Sequence, residues 1–359
     1  VILVGLWIEF HTRLLKSTID IMSNPIRLRW GILGAARVNE RLLPAIVEAP
    51  NSQLVAIASR RPGAALETLR KYAPHAVGVR IHDTLEALLE DGDVQAIYLP
   101  LSNHEHAQWA LRAIKAGKHV LIEKPMALTV TDIVAIEAAA TQHAVTVMEG
   151  FMYRFHPQHA RVLEIVASGR IGELRSARAS YSFLMRPARL YRLARPTEGG
   201  GGAMWDIGPY AIHTLRWCFG MEPMSVMAMA KYVESGADSV MSGVLDFGGG
   251  RFGHFDISFE RSRKSEYEIL GTKGGVKCHA AWQLPGDVPV ISWWTDDGHE
   301  AVERYPAANH FTLEIEHFSD CVLHNKAPLL SLADAKANCS AIVATLESAR
   351  TGRPVPIAH

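Results

Sequence analysis

The chain has 359 residues, 48% hydrophobic and 21% charged, the balance of an ordinary globular protein and more chain than one core usually serves. Its 37 Lys and Arg match its 37 Asp and Glu, so the net charge is zero. That argues against nucleic acid or an anionic membrane as a main partner, because either needs a basic surface.

Residues 1–24 open with "VILVGLWIEF". This apolar run is broken by Glu9, has no basic residues before it and no small-residue cleavage site after it. The stretch reads as a loose leader ahead of Met22. No run in the chain reaches the roughly 18 apolar residues of a membrane span. From residue 25 to 150 strands and helices alternate. "LRWGIL" is a strand, "VNERLLPAIVEA" a helix despite Pro44, "LVAIAS" a strand and "GAALETLRKYA" a helix. "AVGVRIHD" holds a weak strand, followed by the helix "TLEALLED". Then come "VQAIYLPL", "EHAQWALRAIKAG", "HVLIE", "VTDIVAIEAAATQH" and "AVTVME" in the same alternation, with Thr129 as the cap of the last helix. Continuous apolar strands between helices predict a parallel sheet covered on both faces.

From 151 to 359 the pattern changes. One helix, "PQHARVLEIVASG", precedes longer runs such as "ELRSARASYSF", "MSVMAMAKYV" and "RFGHFDISFE", which alternate apolar with polar or small residues. They predict an open, mainly antiparallel sheet with one covered face. The last forty residues return to helix. Cys218, Cys278, Cys321 and Cys339 are far apart with no C-x-x-C pair, so neither a zinc site nor a disulfide framework is expected. Reduced thiols and a cytoplasmic location follow from that spacing.

"WGILGAARVNERL" sets Gly34 at the end of the first strand with a helix behind it. A glycine turn there lets the backbone N–H groups of Gly34, Ala35, Ala36 and Arg37 approach a pyrophosphate. The strict G-x-G-x-x-G pattern is not met, since Ala36 and Asn39 stand at its second and third glycines. An NAD-preferring domain places an acid about 20 residues further on, at the ribose 2′-OH. Here Ser59, Arg60 and Arg61 occupy that place, a hydroxyl and two guanidinium groups that suit a 2′-phosphate. NADP is therefore expected, with NAD as second choice.

The blocks "RWGILGAARV", "LSNHEHAQWALRAIKAGKHVLIEKPMAL", "MEGFMYRFHPQ", "GGGGAMWDIGPYAIHTLRW" and "EILGTKGGV" resemble the Gfo/Idh/MocA oxidoreductases, in the right order from about residue 27 onward. The resemblance implies an α/β chain with an N-terminal Rossmann domain (25–150) and a C-terminal α+β domain (151–359) for substrate binding and oligomerisation. It implies a sugar, polyol or related cyclic alcohol as substrate, and a homodimer or homotetramer. Leu101, Asn103 and His106 match the family's positions near the cofactor after the fourth strand. Arg154 matches an arginine that reaches the cofactor, with Phe155 beside it on the substrate side. Lys124 matches the lysine of the E-K-P block, whose Lys–Pro bond the family suggests is cis, and Glu123 is read beside the ribose or nicotinamide. Asp206 and Tyr210 match the acid and tyrosine of the D-I-G-x-Y block.

Oxidising a secondary alcohol removes a hydride from carbon and a proton from oxygen, so the protein must hold the hydroxyl and handle the proton. If "WDIGPYAIH" opens a helix, Asp206, Tyr210 and His213 lie at i, i+4 and i+7 on one face. A phenol titrates at about 10 and needs a neighbouring cation to act near neutrality, which Lys124 at a strand end would supply. Tyr210 is thus the expected acid/base, Lys124 the oxygen ligand that lowers its pKa, and Asp206 the group that orients Lys124 or the substrate. His213 is either a substrate donor or a satisfied neighbour.

Arg192 and Arg195 precede the glycine run Gly199–Gly202, which reads as the hinge of a substrate-side lid. "HEH", His104 to His106, has the wrong spacing for two ligands on one helix face and reads as a helix-start cluster, so no metal is expected. Trp293 and Trp294 lie on a predicted strand, one ring in the core or an interface. Two other functions use the same residues. One is a glycoside hydrolase with tightly held NAD, which Ser59-Arg60-Arg61 disfavours. The other is a cofactor-binding sensor without catalysis, which would be expected to lack Lys124 or Tyr210.

Overall fold

The computed structural model describes residues 26–282, 288–306 and 308–358, so the expected leader, residues 1–24, lies outside the described residues. The first half alternates β1 (Leu28–Leu33), α1 (Asn39–Glu48), β2 (Ser52–Ala58), α2 (Ala64–Tyr72), β3 (Arg80–His82), α3 (Leu85–Glu90), β4 (Ala96–Leu99), α4 (His106–Lys115), β5 (His119–Glu123), α5 (Val130–His143) and β6 (Val147–Gly150). All six strands run parallel in the order β3-β2-β1-β4-β5-β6, the doubly wound arrangement. The strands form where apolar residues run without interruption. Every residue of β4, "AIYL", is buried. Helices start at capping hydroxyls: Thr84 accepts the Ala87 N–H and Thr129 the Asp132 N–H, each at 3.1 Å. In this arrangement the C-terminal ends of β1, β2, β4 and β5 share one edge, and the strand order reverses between β1 and β4. Ligands of open parallel sheets bind at that edge.

Among the described residues the second sheet has nine strands: β7 (Leu174–Ser182), β8 (Ser225–Tyr232), β9 (Asp238–Asp246), β10 (Phe252–Ser258), β11 (Lys264–Gly271), β12 (Gly274–Cys278), β13 (Val290–Thr295), β14 (Glu300–Arg304) and β15 (Val355–Pro356). Their order is β14-β13-β12-β11-β7-β10-β9-β8-β15. Every pair is antiparallel except β7 with β10, so the sheet is mixed rather than purely antiparallel. Buried residues alternate along β10 and β11, as expected when helices cover only one face. The covering helices include α6 (Pro157–Ala167), α8 (Gly208–Phe219) and α10 (Leu332–Thr351).

Helix α9 (His310–Leu323) was not expected from the sequence, and it packs on the first half of the chain, against α1. Its Ser319 hydroxyl lies 3.2 Å from the Trp30 indole N–H and 2.8 Å from the Ser52 hydroxyl, while the Trp30 and Phe318 rings meet 5.2 Å apart, tilted by 46°. The two sheets are thus joined through an apolar seam with its polar tips satisfied, which favours a fixed angle between them.

Trp293 is buried and donates to Glu303 at 3.0 Å, while Trp294 is partly exposed on the opposite face of β13. All four cysteines are free and buried.

Candidate active site

Along the shared strand edge runs a cleft of about 820 Å³. At one end lies the turn after β1. Gly34 has φ +132°, and a Cβ there would stand 2.8 Å from the Leu101 side chain, so the position needs glycine. The Asn39 amide donates to the Gly34 carbonyl at 2.9 Å and closes the turn. Asn39 thus has a structural reason to stand where the motif has its third glycine. Ala35, Ala36 and Arg37 line the cleft with their backbone beside the start of α1.

Ser59, Arg60 and Arg61 flank this end from β2. The Ser59 hydroxyl accepts the Arg61 N–H at 3.1 Å, the Arg61 guanidinium donates to the Ala35 carbonyl at 2.7 Å, and Arg60 reaches Glu105 at 2.6 Å. Each guanidinium keeps further N–H groups for a ligand. A glycine cradle that a Cβ would fill, with two arginines beside it, suits a phosphorylated dinucleotide.

Lys124 occupies the other end of the cleft, 9% exposed, after a cis Lys124–Pro125 peptide. Its ammonium donates to the Asp206 carbonyl at 2.7 Å and lies 3.5 Å from the Asp206 carboxylate. Lys124 and Asp206, 82 positions apart, therefore meet as expected. Burial pushes the Lys124 pKa below its ordinary value, although Asp206 opposes the shift. The Asp206 carboxylate also takes Arg192, in a very short contact, and Arg189 at 3.3 Å. Burial pushes its pKa up, but Arg192, Lys124 and Arg189 outweigh it and hold the carboxyl below its usual value. Glu123 lines the cleft and takes the Tyr98 hydroxyl in a very short hydrogen bond, and burial pushes its carboxyl up.

Tyr210 departs from the expectation. Residues 203–219 form two helices rather than one: α7 (Ala203–Asp206) ends at Ile207, φ −116°, and α8 starts at Gly208-Pro209. The break spoils the i, i+4, i+7 register. Asp206 reaches the cleft, whereas Tyr210 is 6% exposed among Phe151, Tyr181 and Trp282 and is not among the cleft's lining residues. Its hydroxyl points to the Met152 sulfur at 3.5 Å, and Lys124 stands 5.1 Å over its ring face. Burial, followed by Glu123, pushes the phenol well above its ordinary pKa. The expected lowering by Lys124 is therefore absent, because the cation meets the ring and not the oxygen.

His213 proves to be a satisfied neighbour. It contacts the Tyr153 hydroxyl at 2.5 Å and Asp334 at 2.9 Å, which uses both ring nitrogens away from the cleft. Arg154 also lies away from the cleft lining, its guanidinium 5.0 Å over the Trp217 ring, because the turn after β6 directs it into the second half of the chain. Phe155 packs 4.9 Å from His317, again outside the lining. His106 borders the cleft, but its nitrogens face the Pro125 and Leu101 carbonyls at 2.7 and 2.9 Å. It clamps the two strand-end loops together rather than offering a nitrogen to a ligand. Asn103 donates to the Gly200 carbonyl at 2.9 Å and so anchors the glycine run.

The glycine run is closely packed. A Cβ at Gly201 would lie 2.0 Å from the Arg195 carbonyl, and one at Gly202, φ +95°, 2.0 Å from the Asp238 carboxylate. These glycines permit close packing, and they seat the preceding 3₁₀ turn, Pro187–Leu193, over Asp206. Sequence reasoning missed Arg189 in that turn. Its signal was legible, since Arg189 and Arg192 are three apart and residues at i and i+3 eclipse in a 3₁₀ turn. Among the described residues no group of three or more His, Cys, Asp or Glu is placed to hold a metal.

Residues 28–151 match a family described as "Oxidoreductase family, NAD-binding Rossmann fold", and residues 159–277 match "GFO/IDH/MocA C-terminal domain". The chain is 31% identical to a dTDP-3,4-didehydro-2,6-dideoxy-alpha-D-glucose 3-reductase of Actinomadura kijaniata, over 91% of this chain and 97% of that one. It is 29% identical to D-xylose 1-dehydrogenase (NADP(+)) 2 of Haloferax volcanii, over 92% of this chain and all of the other. In structure it is similar to a 3-ketoreductase from Actinomadura kijaniata in complex with NADP and TDP-benzene, with TM-score 0.83, 30% identity and coverage of 90% of this chain and 98% of the other.

Proposed function

We infer the reaction of this chain from its family: it belongs to the Gfo/Idh/MocA oxidoreductases, enzymes with an NAD(P)-binding Rossmann fold. Within that family we propose an NADP-preferring dehydrogenase or reductase that interconverts a secondary alcohol of a sugar, polyol or related cyclic alcohol with its ketone. Residues 25–150 bind the dinucleotide and 151–359 supply the substrate side and the oligomer contact. The observation that carries this reading is the single cleft that joins the Gly34 turn and Arg60-Arg61 to Lys124 and Asp206.

The backbone of Gly34–Arg37 and the start of α1 would hold the dinucleotide's phosphates, and Ser59, Arg60 and Arg61 its adenosine end. When bound, it accepts or returns the hydride. Lys124 binds the reacting oxygen. Its ammonium is held by the Asp206 carbonyl, which fixes its direction, and burial pushes its pKa below the ordinary value. We propose Tyr210 as the proton donor when a ketone is reduced, a role that requires its hydroxyl, directed at Met152 with only the ring face toward Lys124, to rotate into the cleft.

The test is cofactor turnover with a panel of sugars and polyols, in both directions, with NADP and NAD. Lys124→Met and Tyr210→Phe should each lower kcat by about 10²- to 10⁴-fold, the usual contribution of a general acid or base. A Tyr210→Phe variant with full activity and an unchanged pH–rate profile would remove the tyrosine from this scheme.

A homodimer or homotetramer is proposed as well, joined through the uncovered face of the nine-stranded sheet. Met227 and Met229 of β8 are exposed there, and light scattering tests the proposal. A cytoplasmic location agrees with four buried free cysteines. Among the described residues no helix is long and apolar enough to cross a membrane.

A further inference from the structure

Three cations converge on one carboxylate: Lys124, Arg192 and Asp206 line the reacting end of the cleft, and Arg189 reaches Asp206 from outside that lining. Arg192 contacts one oxygen of Asp206, Arg189 the other at 3.3 Å, and Lys124 lies 3.5 Å from the first. Their side chains are 28%, 18% and 9% exposed, so solvent neutralises them only in part. Glu123 is the other carboxyl lining this end, and it is already hydrogen-bonded to Tyr98. Positive charge therefore exceeds what the protein itself supplies to balance it.

The two guanidinium groups are also oriented. Arg189 stacks 4.7 Å from the Phe183 ring and Arg192 lies 5.5 Å from the Tyr191 ring. Both Nε–H groups are buried and have no partner in the protein. A buried, unpaired N–H on a fixed guanidinium costs free energy unless a ligand takes it. An oxyanion takes two such N–H groups at once.

We propose that Arg192, with Arg189 beside it on Asp206, forms a subsite for a carboxylate, and that the substrate is a polyhydroxy acid, such as an aldonate or uronate, rather than a neutral sugar. This rests on the proposed alcohol–ketone chemistry and narrows its substrate. The close spacing of the cations sets where the acid group lies. Lys124, which holds the reacting oxygen, and both arginines reach the same carboxylate, so the substrate's carboxylate sits within a few bonds of the reacting carbinol. The phosphates of the dinucleotide are the competing partner for Arg192, which lines the same cleft as the Gly34 turn, and a separate NADP titration distinguishes the two.

The test compares kcat/KM for an aldonate, a uronate, the matching neutral aldose and a sugar phosphate, with NADP and NADPH saturating. Alongside it, calorimetric titration measures binding of the aldonate and, separately, of NADP to the wild type, Arg189→Gln, Arg192→Gln and Arg192→Lys. The acids should be preferred over the neutral sugar by about 10- to 100-fold, as hydrogen bonds to a charged group predict. Either glutamine variant should lose that preference and the aldonate binding, Arg192→Lys should recover part of both, and NADP binding should be unchanged. Thermal midpoints check that the variants fold.

Equal kcat/KM for acid and neutral sugar, with the ratio unmoved by the variants, would refute the subsite and leave the oxidoreductase reading standing. Preference for the phosphate ester would refute the carboxylate assignment. Loss of NADP affinity in Arg192→Gln equal to the loss for the acid would reassign the arginine to the cofactor. Aldonate binding that the variants abolish, with no turnover of any compound, would support the subsite and refute the reaction instead.

Discussion

Replacing Glu149 by glutamine should shift stability with pH, from no gain near pH 5 to a clear gain at pH 8. Glu149 lies on β6, 4% exposed, its Oε1 accepting the Met126 N–H at 2.7 Å and its Oε2 without a partner. Burial pushes its carboxyl from an ordinary 4.5 up to about 8, and the Met126 hydrogen bond offsets this only in part. Below pH 4.5 the carboxyl is protonated whether the chain is folded or not. Between there and about pH 8 the unfolded chain has lost the proton and the folded one keeps it, so unfolding releases a proton. Stability then falls by about 1.4 kcal/mol per pH unit, a total of about 5 kcal/mol once the pH passes the folded value.

Glutamine does not titrate, and its carbonyl still accepts from Met126. Its amide leaves a donor unpartnered, which costs about 1–3 kcal/mol. Glu149→Gln should thus be equal to or slightly less stable than the wild type near pH 5 and more stable by roughly 2–4 kcal/mol at pH 8. Urea midpoints of both proteins, followed between about pH 5 and pH 8, read the difference directly. A difference that does not change with pH would refute the reasoning, as would a variant weaker than the wild type at pH 8. Activity should survive, because the contact that anchors the chain just after Lys124–Pro125 is kept.

Two further variants test the dinucleotide end of the cleft. Gly34→Ala forces a side chain into a positive φ and toward Leu101, at a cost of about 1–3 kcal/mol, and should lower both the thermal midpoint and the affinity for NADP measured by calorimetry. Arg60→Ala with Arg61→Ala should weaken NADP by roughly 10- to 100-fold and NAD little, so the ratio of their dissociation constants is the readout. The loss of the exposed Arg60–Glu105 pair should alter stability by less than about 1 kcal/mol, a screened surface contact being worth no more.

Much of the first half of the chain was legible because its signals are local. The bounds of β1, β5 and α5 follow from an apolar run or a capping Thr129, and a parallel sheet follows from their alternation. Helix α9 was missed although Phe311, Ile315 and Phe318 carry a helical period, since a periodic segment says nothing about which sheet it will cover. The same limit explains Arg154, Phe155 and His213. Their residue types suited a cleft, but the turn after β6 and the register of α8 aim them elsewhere.

The sequence by itself determined where the chain turns and which residues carry charge at those turns: Gly34 at the end of β1, Ser59-Arg60-Arg61 after β2, Lys124 after β5. Local sterics and strand polarity place all of them on one edge of a parallel sheet. Only the tertiary structure decided what faces that edge. Ile207 breaks the helix between Asp206 and Tyr210, so the carboxylate enters the cleft while the phenol stays behind Lys124. Gly201 and Gly202, packed against Arg195 and Asp238, hold the 3₁₀ turn so that Arg189 and Arg192 close on Asp206. These are packing distances between segments far apart in the chain, and no local pattern encodes them.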